Sequence, residues 1–201
     1  MPVTLDPFIT QELLHSKDFY HEKSDTRSEF YMNLMNRDVQ ISGLMSFHAR
    51  GWAKRVLFVL VYLENIKAVN NWNLVDASAH HIIGAHTFNT NKTILIELAK
   101  SNVMWERRIA IVATWYFIRK NQFLDTLKIA RPLLHDTHDL IHKSVGWMLR
   151  GMGKRDEKNL VDFLGKNSSI MSRTMLRYAI EKFSAGIRKK YLQSCNCTSV
   201  L

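Results

Sequence analysis

The chain has 201 residues, of which 46% are hydrophobic and 23% are charged, and it carries a formal net charge of +10. This composition is typical of a globular domain with a real core and excludes disordered or collagen-like material. The longest apolar run, residues 56–63, is much shorter than the roughly 20 residues of a membrane-spanning helix. The N-terminus lacks the basic start and apolar stretch of a secretion signal, and the only two cysteines, Cys195 and Cys197, favour a reducing compartment over a disulfide-stapled or zinc-stapled fold.

Apolar residues recur at spacings of three and four, and the Asn-Gly, Asp-Gly and Gly-Gly pairs that mark hairpins are absent. This pattern predicts an all-α protein. Longer segments and shorter segments alternate, and segments of the same kind follow one another at intervals of 30 to 35 residues. The interval predicts an α-solenoid of HEAT-like antiparallel helix pairs over residues 1–193, with a helical bundle as the alternative. The longer segments start near Asn71, Met104, Asp139 and Ser172, and the shorter ones near Thr93, Phe123 and Glu157, the last preceded by Asp156 as a helix cap.

The positive charge lies almost entirely in the second half of the chain. Residues 1–99 hold 9 Lys and Arg against 10 Asp and Glu, whereas residues 100–193 hold 19 against 8. Because the second half is also rich in apolar residues, we expect a folded basic surface, which favours a polyanion partner such as nucleic acid. A basic surface with no partner is the alternative. The tail, residues 194–201, carries no charged side chain, and we expect it to be disordered.

Several side chains on the longer segments could form a site on a concave basic face. Trp72 and Asp76 lie four residues apart and therefore share one helix face. Indoles can pack on bases or sugars, and guanidinium groups suit phosphates. Taken singly, each of these residues is better explained by packing or a structural contact than by function, and Trp52, Trp105 and Trp115 are interpreted as packing residues. The remaining members of the set are Arg107, Arg108, Trp147, Arg150, Lys154, Arg173 and Arg177.

The histidines and cysteines do not predict a metal centre. His138 and His142 lie four apart but lack a third ligand, and the Cys195/Cys197 pair lacks partners. The chain also contains no P-loop, no GxGxxG and no GxSxG pattern. We therefore expect neither a metal nor an organic cofactor.

Motifs in a fixed order resemble the DNA alkylation repair enzyme family of AlkD-like DNA glycosylases. They begin with Asn71-Trp72-Asn73-Leu74-Val75-Asp76 and Trp105-Glu106-Arg107-Arg108, and continue through Gly146-Trp147-Met148-Leu149-Arg150 and Arg173-Thr174-Met175-Leu176-Arg177. The resemblance covers roughly residues 62–193. Residues 1–61 match poorly, and we expect an atypical N-terminal part there.

The resemblance implies HEAT-like repeats that wrap duplex DNA as a monomer and excise positively charged N3- or N7-alkylated purines without flipping them. It places the catalytic aspartate at Asp76, the two indoles at Trp72 and Trp147, and the active-site arginine at Arg108, which would hold a phosphate and orient the site. Arg107, Arg150, Lys154, Arg173 and Arg177 would contact DNA, in the cytoplasm at the nucleoid or in a nucleus. A non-catalytic HEAT-like DNA-binding protein or protein-interaction scaffold is the alternative.

Overall fold

The computed structural model describes residues 58–194 of the chain. Within this range the secondary structure is helical and contains no strand, which confirms the all-α class. The predictions made for residues 1–57 and for the Cys195/Cys197 tail lie outside the described residues. No helix between residues 58 and 194 combines the length and the apolar character needed to cross a membrane.

The helices begin close to the predicted positions. After a first helix, α1, at residues 58–64, the chain makes a short 3₁₀ turn. The helices that follow are α2 (Trp72–Ala79), α3 (Thr93–Ala99), α4 (Met104–Ala113), α5 (Trp115–Arg119), α6 (Leu124–Leu133), α7 (Asp139–Gly153), α8 (Glu157–Asn167), α9 (Arg173–Ala179) and α10 (Ala185–Ser194). α2 continues through a π-helical turn, His80–Gly84, into a last α-helical turn, Ala85–Thr87.

Side-chain caps explain why several helices begin where they do. The side chain of Asp156 accepts a hydrogen bond from the backbone N–H of Asn159, which confirms the predicted cap of α8. Asn71 caps α2 and Ser172 caps α9 in the same way. Each cap satisfies a backbone N–H that has no partner inside the helix. The longer segment that starts at Met104 is divided at Thr114, whose buried hydroxyl donates to the carbonyl of Ile111.

The long helices pack against one another in chain order, α2 on α4, α4 on α7 and α7 on α9. The short helices lie against them: α3 and α6 contact α4 and each other, and α8 packs on α7. Their shared core is apolar, and Ile109, Ile111, Val145, Met148 and Leu149 are fully buried within it. Burying one such side chain contributes about 1.5–3 kcal/mol. The core therefore holds the long helices in a fixed register.

Two glycines allow the long helices to approach closely. A Cβ at Gly146 of α7 would lie 2.5 Å from Cβ of Tyr178 and 2.6 Å from the carbonyl oxygen of Met175, both on α9. A Cβ at Gly84 would lie 2.3 Å from the carbonyl oxygen of Ala113. Such distances are far inside van der Waals contact, so only glycine permits this packing.

Candidate functional site

The centre of the site is an ion pair between two long helices. Arg108 of α4 donates from Nε to Oδ1 of Asp76 at 3.0 Å and from Nη2 to Oδ2 at 2.8 Å. The two parallel bonds form the bidentate geometry that arginine makes with a carboxylate. The side chain of Arg108 is 6% exposed and that of Asp76 is 19% exposed. The carboxylate thus reaches the surface while the guanidinium lies beneath it.

The third contact of Arg108 joins the pair to a third helix. Its Nη1 donates to the carbonyl oxygen of Leu140, in the first turn of α7, at 2.6 Å. The guanidinium therefore uses Nε, Nη1 and Nη2 inside the protein. In this arrangement Arg108 orients Asp76, and its buried position gives it little surface to offer to a phosphate.

The site lies near the N-terminal ends of the long helices. Arg108 contacts Leu140, and Trp115, seven residues further on, contacts Trp147, which is also seven residues further on. The α4–α5 segment and α7 therefore run in the same direction. Seven residues correspond to about 10 Å along a helix. Helix N-termini carry partial positive charge, and aligned N-termini attract anions. The N-terminal ends of the long helices are therefore suited to bind a polyanion.

The two predicted indoles differ in their surroundings. Trp72, one turn before Asp76, is 52% exposed, an unusual exposure for a tryptophan in a folded domain. Trp147 is partly buried and stacks on Trp115, with ring centroids 6.0 Å apart and an interplanar angle of 30°. Trp115 therefore packs as predicted, but its partner is a predicted site residue. Gly151 makes room for it, since a Cβ there would lie 2.3 Å from Cζ3 of Trp115.

Arg107, the neighbour of Arg108, is engaged elsewhere in the protein. Its Nε and Nη2 contact the carboxylate of Asp136 at 2.5 and 3.3 Å, and its Nη1 donates to the carbonyl oxygens of Ser101 and Asn102. Asp136 is nearly buried and also accepts from the backbone N–H of His138, just before α7 begins. The pair ties the start of α4 to the start of α7. Sequence reasoning missed Asp136, because it lies in a connection between helices and belongs to no recognisable pattern.

The remaining predicted cations lie at or near the surface. Lys154 and Arg177 are exposed, and Arg173 is exposed while donating from Nη1 to the carbonyl oxygen of Leu192 at 2.7 Å. Arg150 is paired with Glu181 of the segment after α9. Lys154, Arg173 and Arg177 are therefore open to solvent, whereas the side chain of Arg150 is only 21% exposed.

His80 follows Asp76 by one turn, inside the π-helical turn of α2. Burial lowers the pKa of His80 to about 4, and repulsion from His81 and Arg119 adds to the decrease. The ring is therefore neutral near pH 7, and its Nδ1 is buried without a partner. π-Helical turns interrupt helices at some cost and are frequent beside functional sites.

No group of three or more potential metal ligands is found among residues 58–194. His142 contacts the backbone carbonyl of Asp136, and His138 accepts a hydrogen bond from the backbone N–H of Leu140. Both histidines therefore stabilise the start of α7.

Between residues 58 and 194 the chain is all-helical and carries a carboxylate–guanidinium pair and an exposed indole at the N-terminal ends of packed long helices. Residues 11–183 match the family of DNA alkylation repair enzymes, and the chain belongs to this family. Membership supports an enzymatic role in DNA repair. No curated protein and no solved structure was found to match the chain.

The family match covers residues 11–183, so it begins before residue 62, where the resemblance carried by the motifs begins. An atypical N-terminal part at residues 1–61 stays a prediction. Motifs built around Trp and Arg begin only at Trp72, and they gave no signal for the preceding part of the chain. The match ends at residue 183, so α10 lies beyond it.

Proposed function

We propose that this protein is a DNA glycosylase that excises positively charged N3- or N7-alkylated purines from duplex DNA. The observation that carries the proposal is the Asp76–Arg108 pair, a surface carboxylate fixed by a buried guanidinium beside an exposed Trp72. Family membership supplies DNA repair as the context. The excess of positive charge in residues 100–193 favours a polyanionic substrate.

The chemistry of the substrate explains why one carboxylate suffices. An alkylated purine with a fixed positive charge leaves with the electrons of the C1′–N bond and becomes neutral, so it needs no general acid. The deoxyribose then develops oxocarbenium character, which the carboxylate of Asp76 stabilises. A water adds its oxygen to C1′ and passes its proton to Asp76 and then to solvent. The products are the free base and an abasic sugar.

The geometry leaves Asp76 able to do this. Each carboxylate oxygen has two lone pairs, and Arg108 uses one on each oxygen. The second lone pairs remain for a water or for the cationic sugar. Arg108 acts as a positioning residue, because its contacts to Asp76 and to the carbonyl of Leu140 hold the carboxylate against two helices.

We propose that the lesion stays stacked in the duplex while Trp72 and Trp147 pack against the sugar and backbone around it. Arg150, Lys154, Arg173 and Arg177 would hold phosphates without reading sequence.

The helices are proposed to form HEAT-like repeats. Support for the repeats comes from contacts between successive long helices at nearly equal separations, 32 residues for Asp76–Arg108, 32 for Arg108–Leu140 and 31 for Arg150–Glu181. We further propose that the protein is a monomer and acts in the cytoplasm at the nucleoid, or in a nucleus.

Incubation of the protein with methylated duplex DNA tests the proposal, with released bases separated by chromatography and identified by mass spectrometry. We expect 7-methylguanine or 3-methyladenine to be released and abasic sites to appear in equal number. Salt-sensitive DNA binding with no released base over long incubation would overturn the catalytic proposal and favour a DNA-binding scaffold. Failure to bind duplex DNA even at low salt would favour a scaffold that meets an acidic protein.

A further inference from the structure

A shallow cavity of about 340 Å³ lies between the start of α9 and the helix α10. Three of its lining side chains are cationic, and no acidic side chain is among those that line it. The cationic members Arg173, Arg188 and Lys189 are all exposed. The other lining residues are Ala185, Leu192 and Gln193. A concave surface bordered by guanidinium and ammonium groups has the chemistry that recognises a phosphate.

Two contacts hold α10 against α9 and against the segment that follows α9, so these cations have a defined place. Arg173 donates from Nη1 to the carbonyl oxygen of Leu192 at 2.7 Å. The rings of Phe183 and Tyr191 lie 6.0 Å apart at an angle of 32°. The cavity is therefore part of the folded protein, and its cations are not on a loose tail.

The cavity is connected to the candidate site through a short series of contacts. Arg173 is the first residue of α9, which packs on α7, whose first residue is Asp139. Asp139 precedes Leu140, whose carbonyl accepts from Arg108. Arg173 thus lies at the N-terminal end of α9, while Arg188 of α10 donates from Nη1 to the carbonyl oxygen of Glu181, beyond the C-terminal end of α9, at 3.5 Å.

α10 also has an unusual charge for its length. Residues 185–194 contain one arginine, two lysines and no acidic residue. The helix lies after residue 183, where the family match ends. Its positive charge therefore lies outside the matched part of the chain.

We propose that Arg173 and α10 form a phosphate-contacting surface that extends the duplex footprint beyond the helices of the family match. Arg188 and Lys189 each contact a backbone phosphate of the DNA, and neither reads a base. This inference rests on the proposed function only in taking duplex DNA as the partner.

The test compares the salt dependence of binding for the wild type and for the double variant Arg188→Ala/Lys189→Ala. Fluorescence anisotropy with a short unmodified duplex gives the association constant at salt concentrations from about 50 to 200 mM. Loss of two phosphate contacts lowers the magnitude of the log–log salt slope by about 1.8, because each contact contributes about 0.9. The matched control is Lys128→Ala/Arg131→Ala on α6, which removes the same number of exposed cations and should leave the slope unchanged.

Equal slopes for the wild type and the α10 double variant would overturn the inference, and so would an equal decrease in the control. The α10 double variant could lose binding to anionic lipid vesicles and keep the duplex binding of the wild type. That result would overturn the inference and favour a membrane surface as the partner of α10. The wild type could release no base and yet bind duplex DNA with a steeper salt slope than the α10 double variant. That result would refute the glycosylase proposal and support this inference. A wild type that binds no DNA refutes both.

Discussion

The Asp76–Arg108 pair should be strongly coupled in the folding free energy, and a double-mutant cycle measures that coupling. Exposed ion pairs contribute about 0.2–1 kcal/mol, whereas removing one partner of a buried pair costs about 3–5 kcal/mol. With side-chain exposures of 6% for Arg108 and 19% for Asp76, this pair lies nearer the buried limit. Asp76→Asn leaves a guanidinium that water cannot reach, and we expect it to cost about 3 kcal/mol. Arg108→Met leaves a carboxylate that water can reach, and we expect about 2 kcal/mol.

The double variant should cost less than the sum of the two, with a coupling energy of about 2 kcal/mol. Urea unfolding followed by far-UV circular dichroism gives the four free energies, and equal m-values justify their comparison. A coupling energy below about 0.5 kcal/mol is within the error of simple additivity. Such a value would refute the claim that Arg108 holds Asp76, because it would show that the two side chains act independently in solution.

Three further predictions follow from individual side chains. Gly151→Ala should destabilise the fold by about 1–3 kcal/mol in thermal melts, because the new Cβ would overlap Trp115. The control Gly165→Ala, whose new Cβ meets no atom within 4 Å, should be neutral or stabilising in the same measurement. The stability of the wild type should fall as the pH falls from about 6.5 to about 4, since the unfolded chain protonates His80 before the folded one does; a His80→Gln variant with an identical pH profile would contradict this. The Trp115–Trp147 stack should give a near-ultraviolet circular dichroism signal. Trp115→Leu should abolish this signal, whereas Trp105→Leu should leave it in place.

Much of the helical framework could be predicted because the information is local. Apolar spacing and the predicted cap Asp156 placed the helix starts within about a residue of those observed, and such signals depend only on neighbouring residues. The caps at Asn71 and Ser172 were found only in the structure. The division at Thr114 and the π-helical turn after Ala79 were not predictable in this way. Both depend on how α2, α4 and α5 pack against one another.

The candidate site was predictable as a set of residues but not as a set of contacts. The spacing of Trp72 and Asp76 placed them on one helix face, and the sequence motifs added Arg108. The sequence did not reveal that Arg108 would be buried, nor that its Nη1 would bind the carbonyl of Leu140, because a backbone acceptor carries no residue-type signal. The Arg107–Asp136 pair was missed for a related reason, since the two residues are 29 apart and meet only after the helices pack.

Asp76 is proposed to stabilise the cationic sugar through its carboxylate, and single-turnover base release is the most direct measurement of that role. Methylated duplex DNA is incubated with saturating wild-type protein, with Asp76→Asn, or with Asp162→Asn, which alters an exposed carboxylate on α8. We predict that Asp76→Asn still binds the duplex but releases base about 10² to 10⁴ times more slowly, while Asp162→Asn keeps the wild-type rate. Equal rates for wild type and a folded, DNA-bound Asp76→Asn would contradict it.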